Sequence, residues 1–376
     1  MRLNQCILRV LIGTLISTAQ WPNPARAQNY STNFVESADI EAIVNDLKDE
    51  RKQWGAVSRL DDVITLWHGT NFENFAPTVE PLMPLIGWGG IARMGSEQAA
   101  DILAKIHSVS LPSLIQATKS SEPRLRWTSA RILGVIRPVE SNTVDALMAL
   151  IHDKDTEVRQ NCFRALAGFG NQISNTIPLL FEGTNDPDMT IRIGIYTDLV
   201  KLTGQASPYV SLIASCLTNV DHWVPETAAS SLGDCGLLAS NTYPQLIHAL
   251  KTGEPQLRIN AADALGKTGA KNPEVVAALL KALEGDSAQE VRRSSAVSLG
   301  NIGPAASNAV PALIKILREA NPEKRGNTTG WWVAATALGG IGGQDAIKGL
   351  EEAQNSGDPD IRLSARRALQ KLNEQK

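Results

Sequence analysis

The chain has 376 residues, of which 43% are hydrophobic and 20% charged, and its formal net charge is −3. This composition is typical of a folded protein and excludes a disordered, low-complexity chain. The slightly acidic balance lacks the basic surface that binding to a phosphate backbone requires, so we expect no nucleic-acid partner.

The first 27 residues have the parts of an export signal. Arg2 and Arg9 precede a short apolar stretch, Val10–Ala19, and Ala25–Ala27 forms an A-x-A cleavage pattern. The pattern predicts a signal peptide at residues 1–27 and a periplasmic or extracellular protein; the alternative is a buried N-terminal helix. Cleavage would remove three arginines and no acid, which takes the net charge from −3 to −6. No later segment is long and apolar enough to predict a membrane span.

Residues 28–95 are predicted to be an N-terminal segment of helices and irregular chain that includes a degenerate capping repeat. The apolar spacing over residues 37–67 predicts two helices, with Ser37 as an N-cap. Residues 68–90 hold three prolines and four glycines, which predict a break in regular structure.

Residues 96–376 contain a repeated pattern. An apolar residue is followed by a position that usually holds Arg, then by small residues at fixed offsets, and then by Leu-Gly. The best copies are Leu257–Gly269 and Val291–Gly303. The Arg position falls at residues 126, 159, 192, 225, 258, 292, 331 and 362, with spacings of 33, 33, 33, 33, 34, 39 and 31. A period of this size predicts a solenoid of stacked repeats.

Each repeat is predicted to form two helices, and the second carries the Arg position, from which offsets are counted. An acid at −4, as at Asp188, predicts the start of this helix, and glycines at +8 and +11 predict its end. Offsets −1, +3, +6 and +7 fall on one arc of the helix and hold apolar or small residues, so neighbouring repeats must cover them.

This unit resembles the short HEAT repeat of the phycobilin (PBS) lyase type, as in Ala264–Gly266 and Ala337–Gly339, both of which read Ala-Leu-Gly. The resemblance implies an all-α fold, an α-α superhelix (HEAT/armadillo-like solenoid) of about eight to nine two-helix repeats. It also implies that the second helices line the concave face.

Six of the eight Arg positions hold arginine, with acids one turn away in the same and adjacent repeats. This recurrence predicts a structural ladder that joins the repeats; a row of anion-binding side chains is the alternative. The arginines are Arg126, Arg159, Arg192, Arg258, Arg292 and Arg362.

Offsets +1 and +5 lie opposite the buried arc, and five of the eight +1 residues are apolar. Such a row is either a partner-binding surface or a set of side chains wedged between adjacent second helices. The seventh repeat also has a lengthened loop before its two tryptophans, which is another candidate contact point. The candidate binding residues are Trp127, Arg131, Arg164, Ile193, Tyr196, Ile259, Arg293, Trp331 and Trp332.

Catalytic and metal-binding patterns are absent from the sequence. The five histidines lie in different parts of the chain without metal-ligand spacing, and no catalytic or phosphate-loop motif occurs. Three cysteines, Cys162, Cys216 and Cys235, remain after the predicted cleavage, and an odd number predicts buried thiols rather than a disulfide framework. We therefore expect no catalytic residue, metal or cofactor.

These observations predict an exported, non-catalytic scaffold that binds a protein or peptide on its concave face. The alternative is a phycobilin-lyase-like or other ligand-handling accessory subunit of an enzyme system. The predicted export signal disfavours that alternative, since the lyases act inside the cell, where their substrates are made.

Overall fold

The computed structural model describes residues 37–67, 72–87, 93–173, 176–268, 272–319 and 330–374. Within these ranges the chain is mainly helical and contains no β-strand, which confirms the all-α class. The predicted signal peptide, residues 1–27, lies outside the described residues. The chain divides into two compact units, Met1–Gly168 and Phe169–Lys376.

The first unit consists of helix pairs joined by short connections. Its helices are α1 (Ser37–Leu47), α2 (Gln53–Leu66), α3 (Ala76–Ile86), α4 (Arg93–Lys105), α5 (His107–Ala117), α6 (Pro123–Val135), α7 (Ser141–Met148) and α8 (Thr156–Phe169). Helix α2 packs on α4 and α4 on α6, while α1 packs on α3 and α3 on α5. The pairs therefore stack in two rows, one of first helices and one of second helices.

The expected break in regular structure at residues 68–90 is wrong for its central part. A 3-10 turn at Glu73–Phe75 leads directly into α3, which contains Pro81 and Pro84. Proline in a helix interior removes a backbone hydrogen bond and strains the preceding turn. In α3 the burial of one complete apolar face outweighs that cost. The buried residues of this face are Thr78, Val79, Leu82, Leu85 and Ile86.

Stacking of helix pairs begins before the predicted start of the array at residue 96. That position lies inside α4, and the two expected helices of residues 37–67 are present as α1 and α2. Because α2, α4 and α6 pack in sequence, the N-terminal segment adds two helix pairs to the same row arrangement.

The second unit repeats this arrangement more regularly. Its helices are α9 (Thr176–Gly183), α10 (Met189–Thr203), α11 (Tyr209–Ser215), α12 (Trp223–Cys235), α13 (Tyr243–Thr252), α14 (Pro255–Lys267), α15 (Pro273–Gly285), α16 (Gln289–Ile302), α17 (Val310–Glu319), α18 (Trp331–Ile341), α19 (Gln344–Ala353) and α20 (Pro359–Glu374). The second helices α10, α12, α14, α16, α18 and α20 pack on one another in chain order.

The predicted buried arc is present on the second helices. On α14 the residues at offsets −1, +3, +6 and +7 are Leu257, Ala261, Ala264 and Leu265, and all four are buried. Small side chains at +3 and +6 let neighbouring helix axes approach closely, and Leu at +7 fills the space between them. One continuous apolar cluster therefore extends through the second unit.

The glycines at offset +8 serve a different purpose from the one expected. Gly266 lies within α14 and does not end it; a Cβ there would lie 2.6 Å from the Ser298 side chain on α16. At the same offset, a Cβ on Gly134 would lie 2.6 Å from the Cβ of Ala165, and one on Gly300 would lie 2.8 Å from the Cα of Ala337. These glycines allow backbone contact between adjacent second helices, which is a packing role that the spacing along one helix does not reveal.

The glycines at offset +11 do end the second helices, as expected. Gly236, Gly303 and Gly342 follow α12, α16 and α18 and have φ angles of 57°, 77° and 70°. These angles favour glycine because it has no Cβ. Gly269, at the same offset in the fifth repeat, lies outside the described residues.

Candidate functional site

The arginines of the predicted ladder bind the connection between the two helices of their own repeat. Arg126 Nη1 donates to the carbonyl oxygens of Ser120 and Ser121 at 2.9 and 3.0 Å, and Arg362 Nη1 donates to those of Ser356 and Gly357 at 2.7 and 2.9 Å. The same type of bond is made by Arg159 to Asp153, by Arg192 to Asp186, by Arg258 to Gly253 and by Arg292 to Asp286.

Arg126 and Arg258 also join consecutive repeats. Arg126 makes a two-pronged ion pair with Asp153 of the next repeat at 2.7 and 2.8 Å, and Arg258 makes the same contact with Asp286 at 2.9 and 2.8 Å. Burial raises the pKa of each carboxyl, but hydrogen bonds from the arginine and from a backbone amide outweigh it and leave the pKa below its ordinary 3.8. These guanidinium groups are therefore occupied by the fold itself.

Three candidates for partner binding, Ile193, Tyr196 and Ile259, are buried to different extents. Ile193, at offset +1 of α10, is fully buried in the apolar cluster of the second unit. Tyr196 is half-buried and stacks on Tyr209 of the first helix α11, with ring centroids 6.0 Å apart. The expectation that Ile193 faces a partner is wrong, because α10 turns its +1 position inward. Tyr196 at +4 packs toward α11 but keeps part of its side chain exposed, so its role in partner binding stays a prediction. Ile259 is half-buried and also packs against the cluster.

In the first unit, the candidates remain at the surface to different extents. Trp127 is half-buried, and the Arg124 guanidinium lies 5.8 Å from its ring centroid. Arg131 and Arg164 are exposed on α6 and α8. These residues offer one aromatic ring and two positive charges at the surface of the first unit.

The last repeats of the second unit bring several candidates together. An open groove of about 520 Å³ lies between α18 and α20. We call it the C-terminal groove; it is lined by Trp331, Trp332, Thr336, Gly339, Asp360, Leu363, Ser364, Arg367, Ala368 and Lys371. Two large apolar side chains are exposed in it, Trp332 at 43% and Leu363 at 46%.

Trp332 is held in place by its neighbours. The Arg293 guanidinium of α16 lies 4.7 Å from the centroid of the Trp332 ring, a distance that favours a cation–π contact. A Cβ on Gly330 would lie 2.5 Å from Trp332 Nε1, so the indole crosses close over the Gly330 backbone. Arg293 also pairs with Glu290 on its own helix at 3.4 Å. The exposed indole is thus pre-positioned by contacts on two sides.

The two adjacent tryptophans differ in environment. Trp331, which occupies the Arg position, is half-buried and packs against the apolar cluster, while Trp332 is exposed. The lengthened loop that precedes them falls largely in residues 320–329, outside the described residues. Asp360, Ser364 and Lys371 line the groove but were not expected there, because they lie at offsets −2, +2 and +9. The helical stripe 360, 363, 367 and 371 of α20 could have indicated Asp360 and Lys371, whereas Ser364 lies outside this stripe.

The three cysteines are free thiols and buried, as predicted. Burial raises the pKa of Cys235 to about 11 and that of Cys162 still further, and Cys162 Sγ donates to the Leu147 carbonyl oxygen at 2.9 Å. Thiols of this kind are poor nucleophiles at neutral pH.

Among the residues that the structure describes, no group of three or more His, Cys, Asp and Glu side chains is arranged to hold a metal ion. No helix in these ranges combines the length and the apolar composition that a bilayer crossing requires.

A family profile described as HEAT repeats matches residues 111–194, 144–233 and 243–330, which together are more than half of the chain. Among solved structures, the chain is similar to an engineered protein at 19% identity, covering 89% of this chain and 99% of the other, with a TM-score of 0.43. It is also similar to the complex of CpcE and CpcF of phycocyanin lyase from Nostoc sp. PCC7120 at 25% identity, covering 69% of this chain and 92% of the other, with a TM-score of 0.39. No curated protein matches the sequence.

Proposed function

The chain belongs to the HEAT-repeat family, and on that premise we propose that it is an exported scaffold that binds a protein or peptide partner and has no catalytic activity of its own. The partner occupies the face formed by the second helices, which the family resemblance implies to be concave. The C-terminal groove is its principal contact.

One observation carries this proposal: the exposed, pre-positioned indole of Trp332 beside exposed Leu363 in an open groove. Aromatic side chains held in place before binding are typical centres of protein interfaces, because little conformational entropy is lost when a partner covers them. The arginines of the Arg position are less suited to this role, since they already bind backbone carbonyls or the next repeat.

Binding is tested by affinity capture of the full-length mature protein from the envelope fraction of its native host. Trp332→Ala should reduce recovery of the main captured protein at least about tenfold, with helical content and melting temperature unchanged. The control is Phe181→Ala, since Phe181 is exposed at 46% on the first helix α9 and lies outside the face formed by the second helices. Equal recovery by Trp332→Ala and the wild-type protein would reject the assignment of the groove.

The same affinity-capture experiment with Trp127→Ala tests whether the first unit also contacts the partner. Loss of recovery without loss of helical content would place a contact at Trp127. Unfolding of this variant would instead identify the half-buried Trp127 side chain as part of the core.

Export is proposed from residues 1–27 alone. Expression of the complete gene in the native host should yield a mature protein that begins at Gln28. N-terminal sequencing of the protein from the envelope and culture fractions checks this, and an intact N-terminus in the cytoplasmic fraction would reject export.

The ligand-handling alternative has a separate test. A protein purified from its native host in that role should carry a bound chromophore or small molecule. Visible absorbance and mass spectrometry of the native protein detect such a ligand, and a protein free of it supports the scaffold proposal.

A further inference from the structure

The C-terminal groove has two facing stripes of unlike character. On α18, Trp332, Thr336 and Gly339 follow one another at helical spacing, and on α20 the matching stripe includes Leu363, Arg367 and Lys371. A Cβ on Gly339 at offset +8 would lie 3.1 Å from the Cβ of Ala368 at offset +6, so similar offsets of the two helices lie side by side. We infer that Trp332 and Leu363, both at +1, lie toward one end of the groove and the two cations toward the other. The groove is therefore polarised along its length.

The charge of the groove is opposite to that of the chain. The whole chain carries a net charge of −3, whereas two exposed cations, Arg367 and Lys371, and a single acid, Asp360, line the groove. Asp360 lies one turn from Leu363 at the apolar end, away from the cations. Arg293 adds a guanidinium over the Trp332 ring, although Glu290 partly balances it. The far end of the groove thus favours carboxylates.

The length of the stripes limits what can bind. From position 363 to positions 367 and 371, α20 rises about 6 and 12 Å. An extended peptide covers the same distance in about two to four residues. A side chain seated between Trp332 and Leu363 would therefore place residues two to four positions further along beside Arg367 and Lys371.

We propose that the C-terminal groove binds an acidic peptide segment with a large apolar anchor, a Phe or Leu side chain, seated between Trp332 and Leu363. Carboxylates two to four residues from that anchor pair with Arg367 and Lys371. This assignment rests on the proposed scaffold function and names the chemistry of its partner.

The test measures binding of fluorescein-labelled peptides of about ten residues to the purified full-length mature protein by fluorescence anisotropy. The acidic probe carries a Phe-Leu pair followed by Glu residues. In a second probe Lys replaces every Glu, and in a third Ala replaces the Phe-Leu pair. The wild-type protein should bind the acidic probe at least about tenfold more tightly than either of the other two, and added salt should weaken that binding.

Variants of the groove separate the two parts of the proposal. Trp332→Ala should weaken binding of the acidic probe about tenfold, and Arg367→Glu with Lys371→Glu should reverse the preference between the Glu and Lys probes. Trp223→Ala and Lys281→Glu, at exposed positions outside the groove, should change neither. Circular dichroism of each variant verifies folding, and the salt dependence of the wild-type protein gives a measurement that needs no variant.

Equal or tighter binding of the Lys probe by the wild-type protein would overturn the proposal, as would undiminished binding by Trp332→Ala. So would self-association of the wild-type protein that depends on Trp332, because a second copy would then occupy the groove. If envelope capture depends on Trp332 but the acidic probe does not bind, only the chemistry assigned here fails. If the wild-type protein and Trp332→Ala recover the captured protein equally, the proposed function fails as well.

Discussion

At the scale of single residues, the repeated glycines at offsets +8 and +11 have two unrelated roles, which the sequence pattern does not distinguish. Gly266 at offset +8 is inside a helix and lets α14 and α16 touch, whereas Gly303 at offset +11 ends a helix with a positive φ. The first role depends on a neighbour in the next repeat and the second on the local backbone. Substitution by alanine separates them, because alanine favours the helix but adds a Cβ.

Gly266→Ala should destabilise the protein by about 1–3 kcal/mol, since the new Cβ would lie 2.6 Å from the Ser298 side chain and 2.8 Å from its Cα. The matched control is Gly194→Ala in the interior of α10, where nothing but the adjacent chain and backbone of α10 itself lies within 4 Å of the added Cβ. That change should be neutral or stabilise by up to about 1 kcal/mol. Urea unfolding followed by circular dichroism measures both, and similar effects of the two changes would contradict the packing role of offset +8.

At the scale of elements, the arginines connect a second helix to two turns. Arg258 binds the Gly253 carbonyl oxygen before its own helix and the Asp286 carboxylate of the next repeat. The Arg258–Asp286 pair is largely buried, unlike the exposed pair between Arg318 and Glu352 on the first helices. Removing one partner of the buried pair leaves a desolvated group without its hydrogen bonds, which costs more than loss of an exposed pair.

Arg258→Ala should therefore lower the free energy of unfolding by about 2 kcal/mol or more at neutral pH. Arg318→Ala, which removes the exposed pair at 2.6 Å, should lower it by less than about 1 kcal/mol. Chemical denaturation at one pH and salt concentration compares the two, and equal losses would show that Arg258 is not a structural tie.

The Arg258–Asp286 ion pair should also make the stability of the protein depend on pH. Burial alone would raise the pKa of Asp286, but the hydrogen bond from Arg258 lowers it below 3.8 in the folded protein. A lowered folded-state pKa contributes stability above the unfolded-state value, and this contribution disappears as the pH falls through the folded-state value. The difference in stability between the wild-type protein and Arg258→Ala should thus be largest near neutral pH and shrink below about pH 4. Unfolding curves at a series of pH values measure it, and a difference that grows on acidification would contradict the assignment.

At the scale of the whole molecule, each repeat contacts its neighbours, so damage to one part of a solenoid is expected to remain local. The buried cysteines report on two regions, since Cys162 lies in the first compact unit and Cys216 and Cys235 lie in the second. All three should resist alkylation in the native protein, because a buried thiol reacts only after local opening.

Gly266→Ala should accelerate labelling of Cys235 and Cys216 more than labelling of Cys162. Mass spectrometry of the alkylated peptides over time gives the three rates, and the wild-type protein supplies the reference. Equal acceleration at all three cysteines would show that the chain opens as a single cooperative body instead.

The sequence alone determined the repeat, its two-helix unit and the all-α fold, because a period near 33 residues with fixed small positions constrains every repeat alike. It also predicted the buried arc and the free thiols, which depend on helical spacing and cysteine number. It could not decide which +1 residues reach the surface: Ile193 is buried and Trp332 exposed at the same offset. Nor did it show that Gly266 lets α14 and α16 touch or that Pro81 and Pro84 lie within a helix. Those outcomes depend on what packs against each position from another repeat, and only the tertiary structure brings those neighbours together.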